Sequence, residues 1–265
     1  MILASHFADG QSLAPVWKRV RELIGEKNIT FLENLRFNKG EEENSEEYAK
    51  ELADLAQIYV NDAFGVCHRA HASVDKITGY LPSFAGFLLE KEVNVLSKLM
   101  KNPERPFVAV IGGVKFESKA KVISALLKKA DWVLVGGKIG LSQEAQKLNS
   151  EKLVLPEDPE DASDLGEKAK DLFVSKINTA RTIIWAGPVG LFEKEPYGQG
   201  TQAVGEAIAN NKKAFRVAGG GDTINAVFKF NLQDNFDHLS TGGGAMLDFL
   251  AGKELPGLKA LGFYN

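Results

Sequence analysis

Five short stretches of near-continuous apolar character, each feeding a glycine turn, constrain this chain more than any other feature. Residues 107–111 run into Gly112-Gly113, 132–135 into Gly136-Gly137, and 182–185 into Gly187-Pro188-Val189-Gly190. Residues 215–218 run into Gly219-Gly220-Gly221-Asp222-Thr223, and 238–240 lead to Gly242-Gly243-Gly244. A strand with no polar face must be covered on both sides, which is the condition of a parallel sheet flanked by helices. Residues 118–129 carry the helical periodicity such a layer needs. The acidic stretch 142–175 is polar and helical in tendency, with one short strand at 153–155. The second half is therefore predicted to be an α/β layer.

The first third is less regular. Leu13, Val16, Trp17, Val20, Leu23 and Ile24 recur at helical spacing and Gly25 is a stop signal, so 12–24 is predicted helical. Strands are predicted at 29–32 and 58–60, with a helix at 45–57 between them and a long amphipathic helix at 85–101. Two prolines in Asn102-Pro103-Glu104-Arg105-Pro106 mark the clearest boundary in the chain.

Composition narrows the function classes. Thirty-two Lys and Arg against 35 Asp and Glu leave a net charge of −3, with no global basic field for nucleic acid. A single cysteine, Cys67, forbids an intrachain disulfide and suits a reducing compartment. The start MILASHFADG lacks the basic and apolar regions of a secretory signal. No apolar run reaches the roughly 20 residues that span a bilayer. The expectation is a cytoplasmic, globular protein with no nucleic-acid or membrane partner.

Glycine turns beyond the carboxyl ends of parallel strands let backbone N–H groups approach an anion, and the helix that follows adds positive potential. One such turn is ordinary; five along one edge predict a phosphate-binding edge. Neither G-x-x-x-x-G-K-[ST] nor a complete G-x-G-x-x-G occurs, so neither a P-loop nor a dinucleotide fingerprint is present. Lys115 and Lys119 follow Gly112-Gly113 one turn apart and can face a polyphosphate; alone they are a solvated helix start. Asp222 can ligate Mg²⁺ or cap a helix, and Glu193 can accept from a ribose or lie on the surface. Arg36 and Arg69, each near a strand end, suit a small doubly charged anion. The rival reading of residues 67–71, a Cys/His metal site, is too short of ligands for structural zinc.

These stretches together identify a family. LENLRF (32–37), YVNDAFGVCHRAHASV (59–74), PERPFVAVIGGVKFESK (103–119), WAGPVGLFE (185–193), GGGDT (219–223) and STGGGAMLDFLAGKELPG (240–257) resemble phosphoglycerate kinase, in the family's order and along nearly the whole chain. The resemblance implies two Rossmann-like lobes with parallel sheets flanked by helices. Residues 1–90 are expected to form the phosphoglycerate-binding lobe, with the tail 253–265 returning to it. Residues 91–104 are expected to be an interdomain helix and linker, and 105–252 the nucleotide-binding lobe. The implied reaction transfers a phosphoryl group between 1,3-bisphosphoglycerate and Mg-ADP, giving 3-phosphoglycerate and ATP, in a monomer whose lobes close to exclude water. By resemblance His6, Arg36 and Arg69 hold the phosphoglycerate. Lys115, Lys119, Gly220 and Gly243 serve catalysis. Lys119, Gly136, Gly137, Gly187, Glu193, Gly220, Gly221, Asp222 and Thr223 bind nucleotide, with Asp222 on the magnesium.

The chain also departs from the family pattern. The family's first strand, R-x-D-F-N-x-P, and its catalytic arginine are absent, so the N-terminal lobe is expected to be incomplete, with an open sheet edge. Ala8-Asp9-Gly10 stands where the family has Gly-Arg-Pro, and the stretches after Ile24 and between Gly140 and Thr179 are shortened, the latter without a G-L-D-x-G-P motif. Ala186 replaces an asparagine, Ser118 an aspartate and Lys138 a glycine. Lys39 and Arg21 are the cations available to stand in for the missing arginine. The alternative function is a nucleotide-binding relative with impaired catalysis, or one part of a split enzyme.

Overall fold

The computed structural model describes residues 1–7, 10–25, 28–157 and 163–264. Two of the three residues of the Ala8-Asp9-Gly10 turn, and 158–162 of the acidic stretch, lie outside them. The chain divides into two compact units, Met1–Leu89 with Glu254–Asn265, and Glu90–Lys253.

The first unit begins with β1 (Ile2–Leu3), α1 (Ala14–Ile24) and β2 (Thr30–Phe31). It continues through α2 (Glu46–Ala53), β3 (Tyr59–Asn61) and β4 (Ser83–Ala85). β1 pairs with β2 and β3 with β4, both in parallel, as two separate two-stranded sheets. β1 and β3 line one groove of about 810 Å³ with Leu52, Leu55 and Val74 beside them. The β4 strand takes Ala85, the residue expected to open the long helix. Ala85 pairs with Asn61 there, and the helix starts only after Gly86. Ser45 caps α2, its hydroxyl accepting from the Tyr48 N–H. The helix ends at Ala53, short of the expected 57, where the Asp54 N–H bonds back to Lys50.

The second unit opens on α3 (Phe87–Lys101), whose first residues still belong to the first unit. It continues with β5 (Phe107–Ile111), α4 (Ala120–Lys129), β6 (Trp132–Val135), the short α5 (Gly137–Gly140) and α6 (Gln143–Gln146). Next come β7 (Leu153–Val154), α7 (Glu167–Thr179), β8 (Thr182–Ala186), α8 (Gln199–Asn210) and β9 (Phe215–Gly219). α9 (Gly221–Lys229), β10 (His238–Ser240) and α10 (Gly243–Leu250) complete it. The strands form one six-stranded sheet of order β10-β9-β8-β5-β6-β7, parallel throughout. β5 and β8, at the centre, are buried along their whole length, as their unbroken apolar sequence requires. Val110, Leu134, Phe173, Trp185 and Ile208 pack in one core on the sheet. The proline-flanked stretch 102–106 lies inside this unit, not at its edge.

The last helix, α11 (Pro256–Ala260), belongs to the first unit. The Gly257 N–H donates to the Cys67 carbonyl at 2.9 Å, and Leu255 and Leu258 are buried beside it.

Candidate functional site

In the second unit, one pocket of about 350 Å³ opens at the carboxyl ends of the adjacent strands β9, β8, β5 and β6. It is lined by Gly112 and Gly113 after β5, Gly137 and Lys138 after β6, Gly187 and Pro188 after β8, and Asp222 after β9. Lys115, Ser118, Lys119 and Glu193 complete the polar wall. The loops are fixed to one another by backbone bonds. The Gly112 N–H donates to Ala186, Gly137 to Val189 and Ile139 to Gly113, at 3.0–3.2 Å. Gly112 and Gly187 meet so closely that a Cβ on Gly187 would lie 2.1 Å from the Gly112 carbonyl oxygen, and Gly187 has φ +107°. No residue with a side chain fits there.

Of the residues expected in the nucleotide site, Lys115, Lys119, Gly137, Gly187, Glu193 and Asp222 line this pocket. The helix expected from Ser118 begins at Ala120, because a tight turn over Phe116–Ser118 precedes it and the Lys119 N–H bonds back to Phe116 at 2.8 Å. Lys119 is thus the residue before α4, and both lysines still reach the pocket. Burial lowers the Lys119 ammonium from its ordinary value, while the Asp222 carboxylate opposes that shift. Asp222 is not a helix cap: Gly220 holds that position, and Asp222 lies in the first turn of α9, where the helix dipole favours an anion. Its carboxylate accepts no hydrogen bond from the described residues.

Gly136, Gly220, Gly221, Thr223 and Gly243 are not among the pocket's lining residues. Gly136 packs on the Val189 side chain. Thr223 is fully buried and its hydroxyl accepts from the Gly187 N–H at 2.7 Å, tying the start of α9 to the loop after β8. A Cβ on Gly243 would stand 2.7 Å from the Gly220 Cα, so the loops after β9 and β10 touch backbone to backbone. Lys138 and Ser118 line the pocket yet read in the sequence only as departures from a family pattern. Lys138 directly follows a strand and two glycines, the signal that marked Lys115 and Asp222.

The anion-binding candidates of the first unit gather around a buried carboxylate. Glu41, fully buried, accepts from the His6 Nδ1 at 3.0 Å, the Ser73 hydroxyl at 2.6 Å and the Ser73 N–H at 3.0 Å. Burial alone pushes its pKa up, but the bonds from His6 and Ser73 outweigh it and hold the carboxyl below its ordinary value. The Arg36 Nε pairs with Glu42 at 3.1 Å, and the Arg69 Nε lies 3.4 Å from the His68 ring. Burial lowers His71, and the charges of His6, Arg69 and Arg36 act in the same direction against Glu41, so these cations share one neighbourhood. Arg21, a candidate replacement cation, stands over the Phe31 ring at 4.7 Å. Cys67 is buried and its thiol is pushed up to about 12 by that burial, so it is not a nucleophile at neutral pH. Glu41 carried no local signal, and His71 stood only in the Cys/His stretch 67–71 that is too short of ligands by itself; the two come from separate segments.

A parallel α/β sheet with a lysine-, glycine- and carboxylate-lined pocket at its carboxyl edge defines a protein that handles phosphoryl groups. Comparison with known proteins makes the class specific. The sequence profile described as phosphoglycerate kinase matches residues 6–152 and 140–253. The solved phosphoglycerate kinase of Coxiella burnetii is similar at 34% identity and a TM-score of 0.84, over 99% of this chain and 86% of that one. That of Pyrococcus horikoshii is similar at 27% identity and a TM-score of 0.82, over 98% of this chain and 86% of the other. The chain belongs to the phosphoglycerate kinase family and is a kinase of the α/β class.

Proposed function

We propose that the pocket of the second unit binds ADP and ATP, and that the cationic cluster of the first unit, Met1–Leu89 with the returning tail, binds 3-phosphoglycerate and 1,3-bisphosphoglycerate. The reaction is phosphoryl transfer between the acyl phosphate and ADP. An ADP β-phosphate oxygen bonds to the phosphorus, the bond to the acyl oxygen breaks, and the carboxylate of 3-phosphoglycerate leaves. The carrying observation is that one pocket gathers Lys115, Lys119, Glu193 and Asp222 against glycine backbone. Lys119 and Lys115 neutralise the phosphate oxygens and steady the charge on the group in transfer. Gly220 and Gly243, backbone to backbone at two helix starts, add N–H donors on the same edge. Gly136, Gly137, Gly187, Gly221 and Thr223 shape the nucleotide seat and Glu193 accepts from the ribose. His6, Arg36 and Arg69 hold the phosphoglycerate anion.

Asp222 fits Mg²⁺, a hard cation, because its carboxylate is exposed on the pocket wall and accepts no hydrogen bond from the described residues. Bound with the nucleotide, the ion neutralises phosphate charge. The family places the protein in glycolysis, and we propose that it works in the cytoplasm as a monomer. No described helix is long and apolar enough to cross a membrane.

A coupled steady-state assay of the 265-residue chain with ATP, Mg²⁺ and 3-phosphoglycerate tests the reading, with calorimetric Mg-ADP binding beside it. Turnover is expected, abolished by Lys119→Ala with nucleotide affinity lowered at least about tenfold. Binding without turnover in the unmodified chain would leave a nucleotide-binding relative or part of a split enzyme. Unchanged affinity in both Lys119→Ala and Asp222→Ala would refute the site assignment.

A further inference from the structure

His6, Glu41 and His71 come from three separate segments and bring their ligand atoms within 4.8 Å of one another. Two imidazoles and a carboxylate are a donor set that transition metals use, and zinc above all. Three features of the cluster go beyond chance proximity. First, the His71 side chain is more than nine-tenths buried, yet its Nδ1 has no hydrogen-bond partner. That atom lies 3.7 Å from the Glu41 Oε1, too far for a hydrogen bond, and a buried polar atom left in that state costs free energy. Second, Glu41 is held rigidly. Its Oε2 accepts from the Ser73 N–H, and Ser73 Oγ and His6 Nδ1 converge on its Oε1, the outer support that orients ligating groups. Third, the two rings stand edge to face with centroids 5.0 Å apart, and the Nδ1 atoms of both lie 3.0 and 3.7 Å from the same Glu41 Oε1.

We infer that this cluster is a binding site for a zinc-class divalent cation, held by Nδ1 of His6, Nδ1 of His71 and Oε1 of Glu41, with a fourth position left to water. Bonds of about 2.0–2.2 Å place tetrahedral donors about 3.4 Å apart. The His6–Glu41 and His71–Glu41 separations of 3.0 and 3.7 Å bracket that value. Binding replaces the His6–Glu41 hydrogen bond, so the His6 proton moves to Nε2 and the ring keeps its place. His71 gives up nothing, because its Nδ1 is unpartnered. The guanidinium charges of Arg36 and Arg69 oppose a dication here, and the buried Glu41 carboxylate offsets one charge. The remaining affinity must come from the neutral nitrogens, which excludes Mg²⁺ and Ca²⁺ as occupants.

The chain has four histidines, which makes the test direct. Zn²⁺ is titrated into the full chain in excess Mg²⁺, followed by calorimetry and by ¹⁵N resonances of the imidazole rings. One equivalent is expected to bind, shifting Nδ1 of His6 and His71 and leaving His238 unmoved; Mg²⁺ alone should shift neither ring. His71→Ala and Glu41→Gln should each weaken zinc at least about tenfold. Absence of binding, shifts at His68 or His238 instead, or equal affinity in His71→Ala would overturn the assignment. Should a variant not fold, the ring resonances of the unmodified chain decide alone. Competition between zinc and 3-phosphoglycerate is a further consequence that rests on the proposed role of His6. Its failure would count against that role, whereas the direct titration tests the metal site.

Discussion

At the scale of single residues, the most exacting positions are those where two backbones meet. Gly187 combines φ +107° with a carbonyl oxygen 2.1 Å from any added Cβ, so strain and overlap arise together. Gly187→Ala is expected to destabilise the second unit by about 3 kcal/mol or more, read as a lower urea midpoint, with Mg-nucleotide affinity falling in whatever fraction stays folded. Gly221, where an added Cβ meets nothing within 4 Å, is the control. Its substitution by alanine should move the midpoint far less. Thr223 teaches a related lesson. By resemblance it is expected to bind nucleotide, and in the fold its hydroxyl oxygen also accepts from the Gly187 N–H. Sequence marks a residue type near an anion and does not say which of its atoms are already engaged.

At the scale of elements, β5, β6, β8 and β9 were legible because they are largely apolar on both faces and run into glycine, and β10 because a glycine turn follows it. β5, β6 and β10 begin and end where the sequence places them, and β8 and β9 extend one residue further. The short strands of the first unit were harder. β4 has only three residues, two of them exposed, so burial leaves no pattern to read and its pairing with β3 alone defines it. The start of α3 shows the same dependence on tertiary contact. The Asp62 carboxylate, 26 and 27 residues away, accepts from the Leu88 and Leu89 N–H groups at 2.7 and 3.0 Å, a cap supplied from outside the helix. Asp62→Ala should cost about 0.5–2 kcal/mol in urea unfolding, and Asp62→Asn, which keeps the acceptor oxygen, should recover most of it.

At the scale of the molecule, each unit buries, among its described residues, one carboxylate in a polar network. Glu41 serves the first. In the second, Glu92 accepts from the Thr241 N–H and hydroxyl at 2.7 and 2.9 Å and pairs with His238 Nε2 at 2.7 Å. Burial pushes Glu92 upward, but the His238 and Thr241 bonds prevail and hold it below the ordinary 4.5. Both carboxyls are therefore more acidic folded than unfolded. Their stabilisation is complete above about pH 4.5 and is lost as pH falls through their folded-state values. His71, lowered mainly by burial from 6.5, adds a loss of the same sign that begins below pH 6.5. Thermal midpoints should be level near neutrality and fall on acidification. Glu92→Gln, which keeps an acceptor for Thr241 but cannot titrate there, should flatten the acid limb relative to the unmodified chain. An unchanged slope would remove Glu92 from the account.

By itself the sequence determined the family, the parallel α/β class and the glycine edge with its lysines and Asp222. Those properties reside in local pattern: apolar runs, glycine where backbones crowd, and charge placed just after a strand. Only the tertiary structure decided which of these groups share a pocket. It turned Thr223 and Gly136 inward to packing, carried Lys138 into the pocket wall, and assembled His6, Glu41 and His71 from segments more than 60 residues apart end to end. The reason is physical. A side chain's chemistry is set by what stands within a few ångströms of it, and that neighbourhood is made by chain crossings that no local stretch of sequence contains.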